Sequence, residues 1–141
     1  MSVPKLVTWL QERTALTVLP EKVLSAIAPF LEERTAGANQ TLVKAQTQPV
    51  GLYILQSGKA ESKDASKLSS DVSLLPGSII NLQALILDQP TRETIITKSE
   101  CRFWLIKSEK MRELIGQYPE ITQVFSQQLA EELASVSSQL N

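Results

Sequence analysis

The sequence predicts an α+β domain, with a small antiparallel β-barrel or sandwich flanked by helices at both ends. Three observations predict it. Apolar residues recur at helical spacing as far as Leu31. Between Ala36 and Lys107 the pattern changes to short β-favouring runs, set apart by segments rich in Gly, Pro and Ser. From Ser108 helical signals return. The 141 residues are the size of one domain, read as N-terminal helices over 1–35, a barrel over 36–107 and C-terminal helices over 108–141.

Ser2 followed by Pro4 starts the first helix, and Leu6, Val7, Trp9 and Leu10 share one of its faces. Thr14 to Leu19 reads as a connector. Pro20 suits a first helical position, where its missing N–H costs nothing. Val23, Leu24, Ile27, Phe30 and Leu31 then form an apolar stripe that ends on the charged edge Glu32-Glu33-Arg34. Thr41-Leu-Val-Lys-Ala45 and Leu52-Tyr-Ile-Leu-Gln56 are the first two strands, and Ser57-Gly58 is a tight turn. Lys59 to Glu61 is another short strand. The polar segment Ser62 to Asp71 is an exposed loop, since too little chain lies on either side for two cores. Arg92 to Thr97 and Arg102 to Lys107 are further strands, joined through Lys98-Ser-Glu100. Strands this short and closely spaced favour an antiparallel barrel or sandwich.

Ser108 is a natural N-cap for a helix over Glu109 to Ile115, and Gly116 a natural stop. Pro119 starts a second helix, with Glu120 at its positive end. Leu129, Leu133, Val136 and Leu140 follow at spacings of four, three and four, a short heptad-like seam that Ser126 interrupts upstream. The seam either packs on the domain's own barrel or carries self-association.

Composition excludes several function classes. The chain is 43% hydrophobic, ordinary for a fold with one core. Its apolar runs are too short to span a bilayer. Met1 to Leu19 is broken by Pro4, Lys5, Gln11, Glu12 and Arg13, so it is no secretory signal and the expected location is cytoplasmic. The net charge is -1 with no basic run, which argues against nucleic acid. Histidine is absent, which removes His-based general-base catalysis, Ser-His and Cys-His pairs, and most zinc and haem sites. Cys101 is the lone cysteine and sits in the run Cys-Arg-Phe-Trp-Leu-Ile, so it reads as a core residue. Ser57 and Thr91 lack a histidine partner, and the pairs Glu32-Glu33 and Glu131-Glu132 read as solvated helix faces. No enzyme activity, catalytic residue, metal site or cofactor is expected.

The remaining stretch, Leu75 to Thr94, is the candidate site. A Pro76-Gly77 turn leads through Ile79-Ile80 into a helical patch, Leu82-Gln-Ala-Leu-Ile-Leu87. A second turn, Asp88-Gln-Pro90, leads out into Thr94-Ile-Ile-Thr97. A strand, one helical turn and another strand make a cradle of the kind that holds phosphate.

Taken together these pieces resemble the cyclic-nucleotide-binding domain family, which includes bacterial catabolite-activator-type regulators and the regulatory subunits of cyclic-nucleotide-dependent kinases. The resemblance covers nearly the whole chain. Leu19-Pro-Glu21 is similar to the family's entry to its first long helix, and Ala36-Gly37 to its turn into the first strand. Leu52-Tyr-Ile-Leu-Gln-Ser-Gly58 is similar to its Leu-Tyr-Ile-hydrophobic-x-Ser-Gly segment. Leu75-Pro-Gly77 resembles the entry to its phosphate-binding cassette. Cys101 to Ile106, Met111, Leu114-Ile115 and Pro119 follow its last strand and closing helices. The resemblance implies a jelly roll (double-stranded β-helix) between helices. It also implies a last helix that supports dimers and relays changes to an attached output domain.

In that family a glycine lets the backbone approach the ligand, a glutamate accepts from the ribose 2′-hydroxyl, and an arginine pairs with the cyclic phosphate. This chain departs at each point. Gly-Glu falls on Asn81-Leu82, the aspartate on Ser78, the phenylalanine on Ile80 and the arginine on Thr91. Ala84-Leu85 and Pro90 are retained. Losing the arginine and the ribose acceptor weakens binding by roughly a thousandfold or more, at about 1.4 kcal/mol per decade. Arg92 reaches the phosphate only through a one-residue slip at Asp88 to Pro90. Otherwise strand alternation points it away from the cradle, as a surface or inter-strand ion-pair residue. Leu82 is expected to fill the pocket.

The expected function is a non-enzymatic regulatory or protein-interaction module that does not bind cyclic AMP or cyclic GMP. The alternative is a sensor that takes a cyclic nucleotide through Arg92, or another ligand around Asn81, Leu82, Ala84 and Thr91. Either would act on a protein partner or a fused output domain. No helix-turn-helix follows before Asn141, so the chain reads as a stand-alone adaptor or an excised regulatory domain.

Overall fold

The computed structural model of the chain describes residues 2–64, 72–124 and 126. Helix α1 (Val3–Arg13) buries Leu6, Val7 and Leu10 along one stripe. Thr14 ends it. Its hydroxyl donates to the Leu10 carbonyl at 2.7 Å and accepts from the Leu16 N–H at 3.0 Å, so one side chain closes α1 and opens the 3₁₀ turn Ala15–Val18. Pro20 stands at the N-cap of α2 (Glu21–Ile27), one residue ahead of the helix, and Val23, Leu24 and Ile27 are buried. A 3₁₀ turn through Pro29 follows, and the chain is extended again by Leu31.

Eight strands are described: β1 (Glu32–Ala36), β2 (Thr41–Val43), β3 (Gly51–Ser57), β4 (Ala60–Asp64), β5 (Val72–Leu74), β6 (Ile79–Ile80), β7 (Glu93–Thr97) and β8 (Cys101–Lys107). They form two four-stranded antiparallel sheets, β1-β8-β3-β6 and β2-β7-β4-β5. This is the jelly-roll-like arrangement between helices that was expected, built as two facing sheets and not as one closed barrel.

The sheet that carries β3 and β8 is buried on both sides. Cys101, Phe103 and Leu105 alternate inward with Tyr53, Leu55 and Ile80 to meet Val43, Ala60 and Ile95 of the facing sheet. Leu52, Ile54, Trp104 and Ile106 point the other way. They pack with Leu10, Leu24 and Ile27 of the N-terminal helices and with Met111 and Leu114 of α4 (Ser108–Gln117). Cys101 is a buried free thiol, as a core residue should be.

Three local expectations are corrected. Glu32-Glu33-Arg34 do not end a helix; they are β1, paired residue for residue with Leu105, Trp104 and Phe103. Pro29 breaks the helix earlier, and β1 is then held by backbone bonds that need no apolar side chains. Ser108 is the first residue of α4 and not its cap, and the N-cap position, Lys107, makes no side-chain cap bond. Gly116 does not stop α4, which runs on to Gln117 and ends at Tyr118, just before Pro119. Helical structure resumes over 120–124, where Ile121 and Val124 are buried. The seam Leu129, Leu133, Val136 and Leu140 lies outside the described residues.

Candidate functional site

The cradle over α3 (Leu82–Ile86) is anchored at each end by hydrogen bonds that the sequence places there. At its entry the Gly77 N–H donates to the Leu55 carbonyl at 2.7 Å, and the Leu55 N–H donates to the Ser78 carbonyl at 3.0 Å. Ser78 also accepts from the Leu75 N–H through its hydroxyl, at 3.1 Å. Gly77 has φ 96°, and a Cβ placed on it would lie 2.0 Å from the Arg13 carbonyl oxygen. Only glycine fits between the end of α1 and this turn.

Asn81 precedes α3 with φ 76°. Asparagine is among the few residues that tolerate this left-handed conformation, so the backbone keeps a shape that glycine would adopt readily. Its side-chain N–H₂ donates to the Gly51 carbonyl at 3.0 Å, which ties the start of α3 to β3. Leu82 is 2% exposed and packs in the core shared with the helices. Ala84 and Leu85 are buried beside it.

At the exit, Thr91 is 3% exposed and fully engaged. Its hydroxyl donates to the Lys44 carbonyl at 2.8 Å. Its N–H donates to the Thr47 carbonyl at 2.8 Å, and its carbonyl accepts from the Gln46 N–H at 2.7 Å. The Ala45 N–H donates to the Thr94 hydroxyl at 3.1 Å. Four hydrogen bonds thus clasp the β2–β3 connection to the chain entering β7.

A cleft of about 140 Å³ remains open over this frame. Asn81, Leu82, Ala84, Thr91 and Arg92, the residues that sequence reasoning put at the site, all line it. Leu82 lines the cleft while it is buried in the core shared with the helices. Arg92 is exposed, lies one residue ahead of β7 and lines the cleft as well. Sequence reasoning missed Glu93, which lines the cleft beside Arg92 and accepts from the Ser62 hydroxyl at 2.5 Å. It shares its parity with the buried Ile95 but is itself exposed, at the first position of β7. Among the described residues no group of three or more His, Cys, Asp or Glu gathers as metal ligands do, and no helix is long and apolar enough to cross a membrane.

The turn leaving α3 is tied outward. Asp88, at φ 52°, pairs with Arg112 of α4 at 3.3 Å. Lys22 of α2 reaches Glu120 at 3.6 Å, and the Lys110 ammonium of α4 lies 4.1 Å from the centre of the Phe30 ring.

A family model for the cyclic nucleotide-binding domain matches residues 33–118. Among solved structures, the regulatory domain of Toxoplasma gondii PKA, crystallised with cAMP, is similar with a TM-score of 0.75 at 16% identity, over 92% of this chain and 50% of that one. The Thermus thermophilus catabolite activator protein is similar with a TM-score of 0.72 at 15% identity, over 89% of this chain and 61% of that one. This chain therefore spans between half and two thirds of the length of these proteins, and at such identities the likeness is one of fold. No curated protein matches its sequence.

Proposed function

Because the chain belongs to the cyclic nucleotide-binding domain family, we propose that it is a non-enzymatic regulatory or protein-interaction module whose cassette does not bind cyclic AMP or cyclic GMP. The state of Thr91 carries this reading. Where the family resemblance assigns the phosphate-binding arginine, this chain has an uncharged hydroxyl already donated to the Lys44 carbonyl. A phosphate taken out of water needs a compensating cation and a full set of donors. Leu82, at the position of the ribose acceptor, offers no oxygen and is buried in the core. Glu93 adds a carboxylate to the lining, which opposes an anion. Calorimetry of the full chain with cyclic AMP and with cyclic GMP is expected to show no binding. Micromolar affinity for either would overturn the reading.

One observation favours a sensor instead. Arg92 lines the cleft and is the cation nearest in sequence to the missing arginine. On that second reading a cyclic nucleotide binds, and Arg92→Ala abolishes the binding.

The module acts in the cytoplasm on a protein partner or an attached output domain, and it self-associates through the C-terminal seam Leu129, Leu133, Val136 and Leu140. The support is the heptad-like spacing of those residues. Sedimentation at micromolar concentration is expected to report a dimer that Leu133→Glu dissociates. A monomer at that concentration would remove the seam from the proposal.

A further inference from the structure

A second cleft, of about 210 Å³, opens beside the connection between β2 and β3. It is larger than the roughly 150 Å³ apolar cavity that holds one benzene molecule. It is smaller than the roughly 300 Å³ at which pockets for drug-sized ligands begin. A single ring fits it and a nucleotide does not. Leu42, Val43, Pro49 and Val50 line it, and no acidic residue does. Thr47 and Thr91 line it too, but both hydroxyls are spent on the Lys44 carbonyl, at 2.6 and 2.8 Å. Lys44 also lines it and is exposed, so its charge stays in water.

Tyr53 is the unspent polar group of this lining. It is 7% exposed, and among the described residues its hydroxyl has no hydrogen-bond partner. The unpartnered polar side-chain atoms that are fully enclosed there are Gln56 Oε1 and Trp104 Nε1. The phenol oxygen is not among them, so it reaches open space, and the cleft is space that Tyr53 lines. A hydroxyl held out of water without a partner is unfavourable, and a ligand oxygen offsets that. Burial raises the Tyr53 pKa, so the phenol stays protonated and donates. The same surroundings disfavour an anion beside it. Asn81 keeps one N–H and its oxygen after bonding the Gly51 carbonyl, which again suits an uncharged neighbour.

We propose that this second cleft binds a small uncharged molecule one ring in size, of the class of aryl ketones and aldehydes, whose oxygen accepts from the Tyr53 hydroxyl. Its ring lies among Leu42, Val43, Pro49 and Val50. The site is separate from the cassette cleft, yet Asn81 and Thr91 line both. An occupant therefore lies against the two residues that begin and end the cassette.

The test is titration of the full chain with acetophenone, followed by backbone amide NMR shifts. Ethylbenzene serves as the analogue without an acceptor, and benzoate as the charged one. Acetophenone is expected to shift Val43, Val50 and Tyr53 saturably, and both analogues to bind about three- to tenfold more weakly, the range that one neutral hydrogen bond spans. Tyr53→Phe keeps the ring beside Phe103 and removes only the hydroxyl. It is expected to leave the melting temperature near neutral pH undiminished, to weaken acetophenone about three- to tenfold and to leave ethylbenzene unchanged. No saturable shifts, shifts confined to Arg92 and Glu93, equal affinity for ethylbenzene, tighter binding of benzoate, or unchanged acetophenone affinity in Tyr53→Phe would each overturn the proposal. None of these outcomes bears on whether the cassette takes a cyclic nucleotide.

Discussion

The Thr91 side chain is 3% exposed and its hydroxyl meets the Lys44 carbonyl in a half-buried position, so the bond between them contributes to folding whether or not the cleft is filled. Thr91→Val keeps the shape and removes the donor. It is expected to lower the unfolding free energy by about 0.5–1.5 kcal/mol in urea, the usual net contribution of one such hydrogen bond, and Thr91→Ser to retain most of it. Tyr53 makes a second, pH-dependent contribution. Its phenol, edge-on to Phe103 with centroids 5.3 Å apart, is pushed above its ordinary 10.0 by burial, and the Arg34 charge offsets part of that. The folded protein therefore favours the neutral phenol. That stability is fully present below about pH 10 and is lost as the pH rises through the raised folded value. Alkaline melts of Tyr53→Phe should show a shallower loss than the parent chain.

Elements differ in how openly the sequence declares them. The run Cys101 to Ile106 is legible because β8 is buried on both faces, so nearly every residue is apolar. β1 is not, because its residues are charged and exposed and only its backbone is paired. The clasp from Lys44–Thr47 to Thr91–Thr94 is equally hidden, since it joins backbone groups far apart in the chain whose residue types are unremarkable. Contacts between elements also differ in weight. The Asp88–Arg112 pair joins the turn after α3 to α4, but its side chains are 81% and 40% exposed. Arg112→Ala is expected to change stability by no more than about 0.5 kcal/mol. The contact between Gly77 and Arg13 is of another kind. Gly77→Ala forces a left-handed Ala and drives its Cβ onto a carbonyl oxygen, so a loss above about 2 kcal/mol in thermal unfolding is expected.

At the scale of the molecule, the fold was legible as order: helices, short strands, helices, with family-like residues at compatible spacing. The site was legible as a place but not as a state. Its five residues were named from sequence and all line one cleft, yet the bonds that hold Asn81 and Thr91 reach carbonyls far off in the chain, which no local pattern encodes. The sheet with two buried faces has a further consequence for how the chain can be divided. The family match begins at residue 33, past α1 and α2. A fragment cut there would strip one side of the core that Leu52, Ile54, Trp104 and Ile106 share with α1, α2 and α4, leaving Met111, Leu114 and their neighbours partly bare. Such a fragment would precipitate or scavenge other proteins, so the smallest piece that stands on its own is wider than the piece by which its kinship is recognised.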